Sequence, residues 1–178
     1  MLLPCSQSVA LMSEAILALR QKNVPVGGTL SRRERVRIHW ILQVMAGCLA
    51  LAGFSVVVAN KNLLGKPHFA SIHGMLGLAH VILSAAANCG GVATLFSTRL
   101  KNVLQPTILK LWHSVFGAVA FTFGIAATIT GLYTRFFRNA AGPTVQVVCA
   151  VLLIMAAVLT LEGAVKSAYA RFRSLYRK

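Results

Sequence analysis

Four stretches of the chain, Ile38 to Asn60, Pro67 to Thr98, Leu111 to Thr134 and Asn139 to Leu161, contain no Asp, Glu, Lys or Arg. A hydrocarbon core about 30 Å thick is crossed by roughly 20 apolar helical residues, so each stretch is long enough to span a bilayer. Composition agrees: 57% of the 178 residues are hydrophobic and only 12% charged, with a mean hydropathy of +0.72, which is the profile of an integral membrane protein. The expected fold class is all-α, a multi-pass transmembrane helical bundle with four full spans plus a partial N-terminal helix. That fifth segment, from about Gln7 to Leu19, is interrupted by Glu14 and is shorter than a full crossing. No basic region precedes it and a carboxylate falls within it, so it reads as a truncated helix and not as a signal peptide. Loops are short and no low-complexity linker is visible, so residues 1–178 read as one domain. Pro25 with Gly27-Gly28 marks a turn before the first full span, and Gly142-Pro143 fits the start of the last.

The net charge of +15 arises from 18 Lys plus Arg against three carboxylates, and its placement is informative. Arg32, Arg33, Arg35 and Arg37 precede the first span, Arg99, Lys101 and Lys110 separate the second from the third, and Lys166, Arg171, Arg173, Arg177 and Lys178 follow the fourth. If every span crosses once, these groups share a face. The opposite loops carry Lys61 and Lys66, then Arg135 and Arg138. The positive-inside rule then puts the C-terminus in the cytoplasm. Basic residues that flank bilayer spans without aromatic interleaving are topology and lipid anchors, and no nucleic-acid partner is expected. Cys5, Cys48, Cys89 and Cys149 show no metal-type spacing, and the last three are expected to act as small buried hydrophobes.

His39, His73 and His113 each lie near the start of a span. Consecutive helices enter from opposite faces, so His39 and His113 belong near the cytoplasmic face and His73 near the other. An ionisable side chain within a span is costly and usually has a functional partner, and neutral imidazole is a standard axial ligand for haem iron. A flat macrocycle between helices also needs small neighbours. Gly117, Ala120, Gly124, Ala127 and Gly131 follow His113; Gly77, Ser84, Ala87 and Gly91 follow His73; Ala46, Ala50 and Gly53 follow His39. The same stripes also serve ordinary close packing of transmembrane helices.

The runs Arg37-Ile38-His39-Trp40-Ile41-Leu42-Gln43, Leu64-Gly65-Lys66-Pro67-His68 leading into His73-Gly74, and Lys110-Leu111-Trp112-His113-Ser114 resemble the cytochrome b561 family, closest to its short domain-containing subgroup. The likeness covers nearly the whole chain. It implies a di-haem b-type cytochrome of six helices, in which the second and fourth helices hold one haem and the third and fifth the other. Matched by motif, His39 and His113 correspond to the cytoplasmic pair of axial ligands on the iron, and His73 to the fourth-helix ligand. The chain departs from the family at its N-terminus, where a first helix and a His-Pro start to the second are expected. Leu11-Met12-Ser13-Glu14-Ala15 looks like the later part of that second helix, so a partner for His73 is expected at or just before Met1. The resemblance therefore implies two haem b groups, of which the sequence itself supports one. His80 lies two turns from His73 on one helix face, about 10.5 Å along the axis, and both cannot flank one iron. It is expected to line a pocket or make a hydrogen bond, and to ligate iron only if His73 does not.

The likeness further implies electron transfer from cytoplasmic ascorbate to monodehydroascorbate or ferric chelates across an endomembrane or vesicle membrane. An anionic donor suits Arg33, Arg37 and Lys110 at the cytoplasmic end, and Lys66 and His68 flank the mouth near His73. The alternative is a truncated single-haem or non-catalytic membrane protein that cannot complete the transfer. A transporter is disfavoured, since no inverted repeat or broken helix is evident. A homodimer is left open.

Overall fold

The computed structural model describes residues 2–21, 23–24, 28–99 and 101–176, apart from the side chains of 2–5, 23, 24 and 28. Its helices are α1 (Leu2–Ala18), α2 (Arg32–Leu63), α3 (Ile72–Leu95), α4 (Pro106–Leu132), α5 (Arg135–Ala140) and α6 (Pro143–Tyr176). Between α1 and α2 the two-residue segments β1 (Asn23–Val24) and β2 (Gly28–Thr29) pair antiparallel. The expected turn residues Pro25 and Gly27 lie outside the described residues. Four of the helices, α2, α3, α4 and α6, are long and apolar enough to cross a membrane. The architecture is the all-α multi-pass bundle expected from the charge-free stretches.

Local chemistry explains where the helices begin. Ser31 and Glu34 form a reciprocal capping box on α2: Ser31 Oγ accepts from the Glu34 amide and the Ser31 amide donates to Glu34 Oε2 at 2.8 Å. Pro106 and Pro143 sit in the first turns of α4 and α6, where a missing N–H costs nothing. The charge-free stretch from Pro67 is not helical throughout. Gly65 takes a left-handed φ of 57° just after α2, Phe69 takes φ 52°, and α3 starts only after Ser71, whose hydroxyl accepts from the Gly74 amide. At the other end of the chain α6 continues 15 residues past Leu161, to Tyr176. At about 1.5 Å per residue, that extension stands well beyond the apolar slab.

Helix α4 is central. It packs on α3, α1 and α6, while α1 packs along α2. Val9, Met12, Ala46, Ala120, Phe121, Ile125 and Ala157 form the buried core, drawn from α1, α2, α4 and α6. The small-residue stripe of α4 is the contact surface: Ala120, Gly124, Ala127 and Gly131 are all buried. Without a water-driven hydrophobic force between helices in lipid, close backbone approach at small residues supplies the dispersion contacts instead. Large apolar side chains on the outer face of α6, among them Val148, Leu152 and Met155, remain exposed to the lipid. The cysteines correct the expectation of burial, since Cys48 and Cys89 are exposed and Cys149 only partly covered. In a bilayer the outside of the bundle is as apolar as the inside, so an apolar neighbourhood in sequence does not imply burial in the fold.

Candidate functional site

Every histidine within a membrane-spanning helix uses Nδ1 to grip a backbone carbonyl of a neighbouring helix. Along the α3–α4 seam, His73 meets Ala127 O at 2.8 Å, His80 meets Ala120 O at 2.9 Å and His113 meets Ala87 O at 3.0 Å. The three contacts are spaced seven residues apart on both helices, running in opposite directions, as antiparallel helices in a fixed register require. The α1–α2 seam repeats the device: His39 meets Ala15 O at 2.8 Å and, seven residues further on, Ser8 Oγ donates to Ala46 O at 3.0 Å. A carbonyl oxygen can only accept, so Nδ1 carries the proton in each ring and Nε2 is left with its lone pair. Such an Nδ1–H bond fixes ring orientation and raises the basicity of Nε2, as partners of metal-bound histidines do.

At one end of the bundle His39 and His113 come together, with ring centroids 6.1 Å apart and planes at 86°. Two imidazoles bound to opposite faces of one metal, at bonds of about 2 Å, have centroids about 6 Å apart. The separation of the pair matches that spacing, and each ring has its Nε2 free of the carbonyl bond. Gly91 of α3 makes room for one ring, since a Cβ there would lie 3.2 Å from His113 Cε1. Among the described residues no three His, Cys, Asp or Glu side chains gather, so the donor set is a pair of imidazoles and not a metal cluster.

At the other end His73 lies on an open cleft of about 250 Å³ between α2 and α3, slightly smaller than a usual small-molecule site. Gly53, Gly74 and Gly77 keep its walls low, and Phe54 stacks on Phe69 with centroids 5.9 Å apart and planes at 10°. Phe69 holds its left-handed φ here, a conformation that costs about 1–3 kcal/mol and persists where surrounding structure enforces it. His68 lines the same cleft and its Nε2 bonds Asn62 Oδ1 at 2.8 Å. The cation on this cleft is Lys61, tied to Pro67 O at 2.7 Å, whereas Lys66 is exposed and off its lining. Lys61 escaped notice because it closes the charge-free span as an apparent topology residue.

The remaining sequence-selected residues separate by burial. Arg33 and Arg37 are exposed and Lys110 is half-buried. His80 is 1% exposed, hydrogen-bonded as expected, with its Nε2 buried and unpartnered among the described residues. Arg171, unremarked in the sequence beyond its charge, donates from Nη1 to Ser114 Oγ at 2.6 Å, directly beside His113.

Fold and site together define a multi-pass helical membrane protein with the paired interior histidines of a membrane cytochrome. The chain belongs to the eukaryotic cytochrome b561 family, whose model matches residues 2–139. It is 33% identical over 171 residues to transmembrane reductase CYB561D2 of Homo sapiens, covering 94% of this chain and 72% of that protein. It is 34% identical over 168 residues to the Bos taurus protein of the same name, with the same coverage of each. Probable transmembrane reductase CYB561D1 of Homo sapiens is similar at 26% identity over 127 residues, 71% of this chain and 55% of that one. No solved structure matches. The chain thus stands among the transmembrane reductases of a haem-binding family.

Proposed function

We propose that the chain passes electrons from cytoplasmic ascorbate to monodehydroascorbate or a ferric chelate on the far side of its membrane. The observation that carries this reading is the His39–His113 pair, 6.1 Å between centroids with both Nδ1 atoms committed to carbonyls. A haem b held there would be ligated by the two Nε2 atoms and would supply one-electron exchange at neutral pH. The chain's own residues then have separate tasks. Ala15 and Ala87 orient the two rings through their carbonyls. Packing of α4 against α1, α3 and α6 excludes water from the low-dielectric interior between the two ends. Arg33, Arg37 and Lys110 draw an anionic donor to the His39–His113 end, which the positive-inside rule assigns to the cytoplasm with the C-terminus. At the opposite mouth Lys61 and His68 bind the acceptor beside His73, with Lys66 contributing charge from the rim.

A second reading has its own support. Among the described residues the cleft at the His73 end is lined by His73 and His68, and His68 is already bonded to Asn62. On that reading the chain holds a single haem and exchanges electrons at the His39–His113 end alone. The haem-to-protein ratio and the reduced-minus-oxidised spectrum of the purified chain separate the two. Liposomes with ascorbate inside and a ferric chelate outside then measure transfer. Two reducible haems with external ferric reduction support the first reading; one haem without transfer supports the second. A chain that binds no reducible haem refutes both.

A further inference from the structure

The end of α6 brings a cation to the His39–His113 site from outside the three helices that hold the histidines. Arg171 lies ten residues past Leu161, on the face of α6 that also buries Ala157 and Thr160, and it is itself half-buried. Its Nη1 donates to Ser114 Oγ, which in turn donates to Lys110 O at 2.9 Å, so the guanidinium is held in one place against the first turns of α4. It interacts electrostatically with Arg32 and with His113.

No carboxylate balances this charge. Of the chain's three, Glu34 caps α2 through Ser31, Glu162 pairs with Arg20 and Lys166, and Glu14 is exposed on α1 without an ion pair among the described residues. Arg32 is exposed and Arg171 half-buried, and two like charges in mutual range without a counter-ion are unfavourable. The N-terminus of α2 adds its own partial positive charge. The arrangement favours an anionic partner beside His113.

We propose that Arg171, with Arg32 beside it, anchors the propionate carboxylates of the haem held by His39 and His113. The proposal rests on the haem reading above. Planar, bidentate donation to carboxylate is the geometry arginine supplies and lysine does not. A fixed positive charge at this point also favours the reduced iron over the oxidised one, so the cluster both retains the haem and raises its reduction potential.

The test compares wild type with Arg171→Gln, Arg171→Lys and Ser114→Ala, using Arg173→Gln, an exposed neighbour, as control. The readouts are the rate of haem loss to an excess of apo-globin and the midpoint potential by spectroelectrochemistry. Arg171→Gln is expected to lose haem about tenfold faster and to favour the reduced form about tenfold less, a midpoint lowered by about 59 mV for one electron. Arg171→Lys keeps the potential but not the retention. Ser114→Ala moves both in the same direction by less, and it serves if Arg171→Gln does not fold. Unchanged haem loss and midpoint in both Arg171→Gln and Ser114→Ala overturn the proposal, as does a rise confined to KM for ascorbate, which would assign the cluster to the soluble donor. A wild-type chain without a bis-histidine spectrum removes the haem reading itself and the proposal with it.

Discussion

Gly124→Ala tests how tightly the centre of the bundle is built. A Cβ at Gly124 would stand 2.7 Å from His80 Nδ1, 2.8 Å from His80 Cε1 and 2.8 Å from Val9 Cγ2. Neither neighbour can yield cheaply: the ring is fixed to Ala120 O and 1% exposed, and Val9 is 2% exposed in the core. Overpacking of this kind costs about 1–3 kcal/mol. The substitution also gains about 0.8–1 kcal/mol of helix propensity, so a net destabilisation of about 1 kcal/mol is expected. Gly163→Ala is the comparison, since its Cβ would approach Arg20 Cδ to 2.5 Å, a still shorter distance. There the obstacle is the far part of an arginine whose side chain is 45% exposed and held by one bond to Leu159 O and a 4.0 Å ion pair with Glu162; it can swing away at the loss of those weak exposed contacts, and the change should be close to neutral. Reversible unfolding in mixed micelles measures both. Adding His80→Ala should relieve Gly124→Ala, with a coupling of about 1 kcal/mol in the double-mutant cycle. If Gly124→Ala proves as harmless as Gly163→Ala, the rigid clash at the α3–α4 seam is wrong.

Other outcomes follow from the site. His39→Ala or His113→Ala should abolish the bis-histidine spectrum at that end, whereas His80→Ala leaves it; retained spectra in both of the first two variants would end the ligand assignment. Gly91→Ala, whose new methyl crowds His113 Cε1 at 3.2 Å, should weaken haem affinity roughly tenfold, the lower end of what displacing an oriented ligand costs, and a haem titration checks it. Lys61→Gln should raise KM for an anionic ferric chelate severalfold without moving either midpoint potential, whereas Lys66→Gln should change KM less; equal effects would remove the cleft's priority. Ser8→Ala should cost about 0.6 kcal/mol, the average for an interhelical hydrogen bond in a membrane, and a loss near zero in the same unfolding assay would show that the α1–α2 seam does not depend on it.

The spans, the class of fold and the histidines at their starts were legible because charge-free length and the cost of an ionisable group in lipid are properties of the sequence alone. The heptad spacing that ties His73, His80 and Ala87 to Ala127, Ala120 and His113 was present in the residue numbers too. It becomes meaningful only once α3 and α4 are known to lie side by side. Sequence singled out Lys66 and passed over Lys61, because which lysine lines the cleft depends on how the loop from Gly65 to Ser71 folds back over it. It misplaced Cys48 and Cys89, because lipid and bundle interior have the same hydropathy. It gave Arg171 no more than a sign of charge, since the contact with Ser114 joins residues 57 apart. The chain alone thus determines which segments enter the membrane and which polar groups they carry. Only helix packing decides which of those groups meet, because in a uniformly apolar solvent that choice rests on register and shape.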